Sequence, residues 1–206
     1  MSARHPLSPK QIKELLDTLA PGNGSAYQRR CSIRNKAIAL LMLDAGCRAC
    51  ELCYLTYLDA YWQGQVRETL DIRCEVAKYG VGGQIPISPR LHAALEDLRL
   101  AYHPNVAALD NRYLIYVHKA SLPVSRRQVH RIIAEAGREA LGQAVYPHML
   151  RHTYADTMSA VCDAVTLKYL MRHKHLSSTD KYTHRNGQRM ADAVAAGIAK
   201  QMELAS

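Results

Sequence analysis

The sequence predicts a mostly helical α+β domain that carries one small antiparallel β-sheet. Three observations favour this fold class: several stretches repeat apolar residues at helical spacing, one stretch alternates them at strand spacing, and 48% of the 206 residues are apolar. A chain of this length and composition can bury one sizeable core. Phenylalanine is absent and tryptophan occurs once, so aliphatic side chains and the 12 tyrosines must fill that core.

The first helix is predicted from capping chemistry near the N-terminus. Ser8 is a suitable N-cap, Pro9 suits the first helical position, and Gln11 completes a capping box. An apolar stripe follows at helical spacing, formed by Ile12, Leu15, Leu16 and Leu19. The next stretch, 21–26, is rich in glycine and begins with proline, so it predicts a loop.

A second helix is expected over about residues 30–45, because apolar side chains recur there on one face. Those side chains are Ile33, Ala37, Ile38, Leu41 and Met42. Gly46 is a plausible C′ residue for this helix, since glycine adopts the left-handed conformation readily. A short third helix is expected to begin at about Arg48.

The middle of the chain contains the clearest hairpin signal. In "TLDIRCEV" the residues Leu70, Ile72, Cys74 and Val76 alternate with polar neighbours, which is typical of a strand. "KYGVGG" predicts a turn, and "QIPIS" predicts a second, shorter strand.

The remaining elements are again mostly helical. Ser88 with Pro89 begins one helix, and Ser125 with Gln128 forms a capping box that begins another. The stretch 113–117 is ambiguous between a strand and a buried helical turn. Further helices are expected at about 148–161, 164–171 and 188–203, the last with an apolar stripe of Met190, Val194, Ile198 and Met202.

The charge balance indicates a polyanionic partner. Lysine plus arginine outnumber aspartate plus glutamate by 27 to 18, which gives a formal net charge of +9 and a pI near 9.3. Nucleic acid fits better than a membrane, because no apolar run approaches the ~18 residues of a spanning helix. The N-terminus lacks the apolar segment of a secretory signal, so we expect a cytoplasmic protein with reduced thiols.

"PHMLRHTYADT" concentrates basic side chains on one predicted helix. His148 and Arg151 are three residues apart and share a face, so a bound phosphate would offset their mutual repulsion. Upstream, Arg48 stands at a predicted helix start, where the macrodipole disfavours a cation. Lys78 lies in the predicted hairpin turn and is exposed enough to reach a ligand. Clamping of a phosphodiester oxygen by such cations is what chemistry on DNA requires.

Each of these residues also has a plain structural interpretation. Arg48 with Glu51 alone would form a surface salt bridge. Lys78 alone would be a solvated turn residue, and His148 with Arg151 alone would be a charged helix face. The order and spacing of the whole set, rather than any single member, favour the functional interpretation.

The cysteines offer a competing interpretation as a metal site. Cys47, Cys50 and Cys53 have the C-x2-C-x2-C spacing of some iron–sulfur and zinc sites. The fourth ligand that such runs need does not follow, and Cys74 and Cys162 are distant in the sequence. We therefore expect no metal, and we expect Cys47 and Cys53 to act as small apolar packing residues.

The same motifs resemble the tyrosine recombinase (phage integrase) family. Its signature comprises an arginine in G-x-R-x-x-E-L, a lysine in a β-hairpin, an H-x-x-R-H pair, a later histidine or tryptophan, and a tyrosine nine residues after it. This chain has "GCRACEL", "AKYGVGGQIPI", "HMLRHT" and "RHKHLSSTDKY" in that order, over about residues 8–187. The resemblance implies a tyrosine recombinase catalytic-domain fold over residues 1–187.

The resemblance also implies a reaction and a set of site residues. Tyr182 would attack the scissile phosphate and form a covalent 3′-phosphotyrosyl intermediate, with no metal and no cofactor. The other matched catalytic positions are Arg48, Lys78, His148, Arg151 and His173, and the supporting positions are Glu51 and His152.

Several features depart from the usual family pattern. Arg172 stands where the family's L-G-H motif has glycine before its histidine, and Gln84 stands where the hairpin usually has a basic residue. An N-terminal core-binding domain is expected to be absent from this chain, either as in the short fimbrial-type recombinases that invert promoter segments or because the chain is part of a longer member. "PVSRRQVHRII" and "YPHMLRHT" favour that subgroup.

The resemblance further implies partners. We expect double-stranded DNA with specific recombination sites, a homotetramer on that DNA, and accessory DNA-bending proteins. Residues 188–206 would form an amphipathic tail that docks on a neighbouring subunit or on its own domain. Two rival functions remain open: a type IB topoisomerase, which relaxes DNA by the same chemistry, and a non-catalytic DNA-binding regulator on the same fold.

Overall fold

The computed structural model describes residues 5–104, 112–117 and 121–175, with only the backbone at Lys78, and this part of the chain is mostly helical. The α-helices are α1 (Pro9–Thr18), α2 (Ala26–Leu43), α3 (Ala49–Tyr54), α4 (Tyr57–Ala60), α5 (Pro89–Tyr102), α6 (Arg126–Leu141), α7 (Pro147–Ser159) and α8 (Ala164–Met171). The strands are β1 (Tyr61–Trp62), β2 (Gln65–Val66), β3 (Thr69–Ile72) and β4 (Gly83–Pro86), paired as the antiparallel hairpins β1–β2 and β3–β4. The predicted fold class is confirmed.

Three helices begin where their capping residues predict. The hydroxyl groups of Ser8, Ser88 and Ser125 accept hydrogen bonds from backbone N–H groups three residues later, at 3.2–3.3 Å. Each bond satisfies one of the donors that a helix leaves unpaired at its first turn. Because these contacts are local in sequence, the starts of α1, α5 and α6 were predictable.

Helix α2 begins four residues earlier than predicted. Ser25 and Gln28 form a reciprocal capping box, with Gln28 Oε1 accepting from the Ser25 N–H at 2.7 Å. The helix ends at Leu43 and Asp44 is its C-cap, so Gly46 lies one position beyond the C′ residue. The prediction of Gly46 as the C′ residue was therefore wrong by one position, although its φ is indeed positive, at 55°.

The β3–β4 hairpin exists, but its first strand is shorter than predicted. Thr69 pairs with Pro86 and Ile72 pairs with Gly83, and the strand ends there rather than at residue 76. The cause is the carbonyl of Arg73, which accepts hydrogen bonds from the N–H groups three and four residues later and so closes a turn. The exposed side chain of Cys74, which the alternation placed in the strand, lies in this connection.

Two features of the extended segments were not resolved by the sequence. In the β1–β2 hairpin, Gln63 and Gly64 have φ values of 49° and 79°, as the two-residue turns of tight hairpins require. The ambiguous stretch 113–117 is neither a full strand nor a helical turn. It is held by isolated bridges from Tyr113 to Thr56 and from Tyr116 to Pro123.

Helix α2 forms the centre of the core. Its residues 37–42 are all buried, because α5 and α7 pack against it. Helix α6 packs against α1, and a smaller apolar cluster joins α7 to α8 through Tyr154, Ala155, Leu167 and Met171. This packing brings the N-termini of α3 and α7 and the C-terminus of α8 together. No helix in the described ranges combines the length and apolarity needed to cross a membrane.

Candidate active site

Arg48 and Glu51 are joined at the first turn of α3. Nη1 of Arg48 donates to Oε1 of Glu51 at 2.5 Å, and the backbone N–H of Arg48 donates to Oε2 at 2.8 Å. The carboxylate is fully buried, whereas the Arg48 side chain keeps 17% of its surface exposed. Glu51 therefore caps the helix and offsets the cation at its N-terminus. Arg48 does not form the surface salt bridge of the plain interpretation.

Arg151 reaches the same place from the first half of α7. Arg151 is only 4% exposed, and its Nη groups donate to the backbone carbonyls of Gly46 and Met171. Nη2 of Arg48 lies 3.4 Å from the same Met171 carbonyl. The two arginines that the sequence separates by about a hundred residues are thus neighbours, and their guanidinium groups share one backbone acceptor.

Gly46 is required at this point for two reasons. Its φ of 55° lies in the left-handed region, and a Cβ atom there would lie 2.6 Å from Cε1 of Tyr154. Only glycine lets the loop before α3 approach α7 so closely. That approach is what places the Gly46 carbonyl within reach of Arg151.

A cavity of about 300 Å³ opens beside the paired arginines. Its lining is strongly basic and comes from three places in the chain: the α2–α3 connection with α3, the start of α6, and the start of α7. The lining residues are Cys47, Arg48, Ala49, Cys50, Arg126, His130, Pro147, His148 and Arg151.

Sequence reasoning missed two members of this lining. Arg126 and His130 are exposed, lie four residues apart, and so share one face of α6. The spacing between Arg126 and His130 within "SRRQVHR" was the available signal, since it predicts a basic helix face.

Arg172 contributes a third guanidinium group to the cluster. It is the C-cap of α8, with φ 51° and ψ 49°, and its side chain is completely buried. Its Nη2 donates to Oε2 of Glu51 and to the carbonyl of Gly46, both at 2.8 Å. The residue that departs from the glycine of the family pattern thus fills the space behind the arginine pair.

The charges of this cluster shift the acid–base properties of its members. Burial alone would raise the pKa of the Glu51 carboxyl, but the charge and hydrogen bond of Arg172 and the N–H of Arg48 hold it below its usual value. Burial, together with the positive charges of Arg172 and Arg48, lowers the pKa of the Arg151 guanidinium. The site therefore carries an excess of buried positive charge, and a bound anion would offset that charge.

Two of the cysteines behave as packing residues. Cys47 and Cys53 are 1% and 3% exposed, and burial raises the pKa of their thiols to about 12 and about 11 respectively. Cys50 is half-buried and lines the cavity. Within the ranges that the structure describes, no three His, Cys, Asp or Glu side chains converge as metal ligands would.

The structure describes the side chains of some of the other predicted site residues, only the backbone of one, and not Tyr182. His148 is exposed at the cavity, and His152 is half-buried one turn further along α7. His173 follows Arg172, whose carbonyl lies 3.3 Å from Nη2 of Arg48. The backbone of Lys78 begins a short 3₁₀ turn in the β3–β4 connection. Tyr182 lies outside the described residues, as does the predicted helix at 188–203.

Comparison with known proteins assigns the chain to a family. The model of the phage integrase family matches residues 6–189, so the chain belongs to that family, which is the family of tyrosine recombinases. Tyrosine recombinase XerC of Bacillus pumilus is 32% identical over 161 residues, which are 73% of this chain and 49% of XerC. The curated relatives that head the comparison are matched over only about half to three fifths of their length.

Solved structures agree with the fold. The crystal structure of XerA recombinase matches with a TM-score of 0.66 and 23% identity, over 94% of this chain and 65% of that one. The Tn1549 transposon integrase in complex with circular intermediate DNA matches with a TM-score of 0.69 and 18% identity, over 96% and 68%. The resemblance to the short fimbrial-type group is not tested by these comparisons and stays a prediction.

Proposed function

We propose that this chain is a site-specific DNA recombinase that cuts and rejoins strands through a covalent 3′-phosphotyrosyl intermediate. The observation that carries the proposal is the pair Arg48 and Arg151, which share the Met171 carbonyl at one wall of a basic cavity. Two guanidinium groups side by side suit the two non-bridging oxygens of a phosphodiester. The B. pumilus relative is named a tyrosine recombinase, which supports the same reaction class.

In the proposed reaction, one phosphate ester bond replaces another. The Oη atom of Tyr182 attacks phosphorus, a new bond forms between tyrosine and the 3′-phosphate, and the bond to the 5′-oxygen breaks. Lys78 gives the proton that the leaving 5′-oxygen requires, and His148 assists proton transfer by accepting the phenolic proton that Tyr182 loses. His173 donates a hydrogen bond to the phosphate. A 5′-hydroxyl of a second DNA end then reverses the step, so the energy of the ester is kept.

One supporting residue, Glu51, acts on Arg48 rather than on DNA. Glu51 holds Arg48 through two hydrogen bonds, at 2.5 and 2.8 Å. His152 follows Arg151 in α7 and is half-buried. Because every proposed role belongs to a side chain, the reaction should run in the presence of a chelator.

Duplex DNA is the proposed partner, and the start of α6 is the proposed contact beside the cavity. Arg126, Arg127, His130 and Arg131 are all exposed there, and the first acidic residue of α6 is Glu135. Backbone phosphates on either side of the scissile one would meet this surface. The structure of Tn1549 integrase contains DNA, which supports a DNA partner for the shared fold.

Assembly into a tetramer is a further part of the proposal. Val165 and Tyr169 lie four residues apart on α8 and are 54% and 71% exposed, and Val161, which is 76% exposed, lies in the turn before that helix. We propose that residues 188–206 of a neighbouring copy cover such a surface. Deletion of residues 188–206 should leave a monomer with an unchanged melting transition and no recombination. A collapsed transition would show that the segment packs on its own domain.

The experiment is a plasmid assay that separates the rival functions. A supercoiled plasmid carries two inverted copies of a candidate recombination site, chosen from repeats that a search of the DNA beside the gene identifies, and it is incubated with protein in excess EDTA. We expect inversion between the repeats. Relaxation without inversion would favour a type IB topoisomerase, and retarded but unchanged plasmid would favour a regulator. Activity that is lost in EDTA and restored by Zn²⁺ or Mg²⁺ would contradict the metal-free chemistry.

A further inference from the structure

Arg172 occupies a backbone position that suits glycine, yet its side chain is the most deeply buried cation of the cluster. Its φ of 51° lies in the left-handed region, where residues with a Cβ atom are strained. The side chain has no exposed surface. A buried charge in a strained conformation persists only where its contacts compensate for both.

Those contacts join four separate parts of the fold. The two Nη groups donate to the carbonyls of Leu170 and Gly46, at 2.9 and 2.8 Å, and to Glu51. The aliphatic part of the side chain packs on β4, where Cγ lies 3.7 Å from the position that a Cβ on Gly83 would take. The end of α8, the loop before α3, α3 itself and the hairpin of Lys78 therefore meet at this one residue.

Arg172 also decides which arginine Glu51 neutralises. Oε2 of Glu51 accepts from Nη2 of Arg172 at 2.8 Å, whereas Nη1 of Arg151 stays 4.0 Å away from the same oxygen. Arg151 instead donates to the carbonyls of Gly46 and Met171, which carry no net charge. Arg151 is thus paired with Glu51 more weakly than Arg48 and Arg172 are.

The charge count of the cluster matches a transition state better than a substrate. Three guanidinium groups face one carboxylate, which leaves two positive charges in excess. A phosphodiester carries one negative charge, and the pentacoordinate phosphorus formed by tyrosine attack carries two. Without Arg172 the excess would fall to one, and Arg151 could close on Glu51.

We propose that Arg172 is a positioning residue, which by holding Glu51 and the Gly46 carbonyl keeps Arg151 unneutralised for the doubly charged transition state. This inference rests on the proposed function. It predicts an effect on the chemical step that exceeds the effect on DNA affinity, because the second negative charge exists only in the transition state.

The test compares three substitutions at this residue. Arg172→Met keeps the length without the charge, Arg172→Gly also removes the strained φ, and Arg172→Lys keeps the charge without the planar group. We expect the single-turnover cleavage rate on a nicked suicide duplex to fall about 30-fold for Met and Gly, and the DNA dissociation constant to change less than about threefold. Lys should recover part of the rate. Wild-type rates in both Met and Gly variants, or equal losses in rate and affinity, would overturn the inference.

A second measurement is independent of cleavage. Inorganic sulfate carries two negative charges, so it should raise the melting temperature of the wild type, relative to chloride at equal ionic strength, more than that of Arg172→Met. Arg99→Met is the matched control, because Arg99 pairs with Glu96 on α5, and it should respond as the wild type does. An equal response in Arg172→Met overturns the inference. If the wild type forms no covalent adduct, the proposed function fails while this comparison still decides the role of Arg172.

Discussion

Arg48 and Glu51 form a two-point contact in which the side chain and the backbone N–H of the arginine bind the two oxygens of one carboxylate. The contact is buried on the glutamate side and open to the cavity on the arginine side. Glu51 is also the nearest counter-charge of Arg151 and Arg172. One carboxylate thus binds Arg48 and Arg172 directly, whereas Arg151 lies 4.0 Å from it.

Replacement of Glu51 should therefore destabilise the fold strongly. Glu51→Gln leaves the guanidinium groups of Arg48 and Arg172 without the carboxylate that they contact, and we expect it to lower the free energy of unfolding by about 3 kcal/mol. Urea denaturation measures this. The control is Glu14→Gln, which removes an exposed contact 3.9 Å from Lys10 and should change stability by less than about 0.5 kcal/mol. Equal effects of the two substitutions would contradict the charge arrangement.

The same carboxylate predicts a pH dependence of stability. Its folded-state pKa lies below that of the unfolded chain, because Arg172 and the Arg48 N–H outweigh the effect of burial. Its contribution is therefore complete above the unfolded pKa of about 4.3 and is lost as the pH falls through the folded one. The unfolding free energies of wild type and Glu51→Gln should converge as the pH falls from about 5 through the unfolded and then the folded pKa. Curves that stay parallel over this range would exclude the shift.

Gly46 offers a test of the close approach between the α3 loop and α7. Gly46→Ala adds a methyl group against the ring of Tyr154, whereas Gly142→Ala adds one at a similar φ of 66° with no heavy atom within 4 Å. We expect a loss of about 1 kcal/mol for Gly142→Ala and about 2 kcal/mol more for Gly46→Ala. Thermal melting measures both. A Gly46→Ala protein as stable as Gly142→Ala would mean that the loop has room to move.

The helix caps and the strand ends show how much of the fold could be predicted from the sequence. The caps at Ser8, Ser88 and Ser125 act within three residues of themselves, so their helices could be predicted. The early start of α2 was missed because Ser25 follows a glycine-rich stretch that reads as a loop. The end of β3 was misplaced, since the turn closed by Arg73 depends on a backbone hydrogen bond that alternation does not reveal.

For the candidate site, the sequence could not show which distant segments of the chain contact one another. The motif order predicted Arg48 and Arg151 as site residues, and in the structure both guanidinium groups contact the Met171 carbonyl. Arg172 was noted only as a departure from a glycine, because no sequence pattern shows that its side chain reaches Glu51. The closeness of Gly46 to Tyr154 was invisible for the same reason.

The basic start of α6 predicts a measurable share of DNA binding. Arg127→Gln removes an exposed cation from that surface, and each lost phosphate contact should lower the slope of log K against log salt by about one. Fluorescence anisotropy over a salt series gives the slope. Arg138→Gln, at the other end of the same helix and beside Glu135 and Glu139, should leave the slope unchanged. Equal slopes for both variants would remove this surface from the DNA contact.

The most direct test asks whether Tyr182 becomes joined to DNA. A nicked suicide duplex that carries the candidate recombination site is incubated with the protein, denatured, and digested for peptide mapping. We predict an adduct on Tyr182 for the wild type and none for Tyr182→Phe, which should bind the duplex with an affinity within about threefold of the wild type because phosphate contacts supply the binding energy. An adduct in the Phe variant, or a label on Tyr154 or Tyr169, would contradict the account.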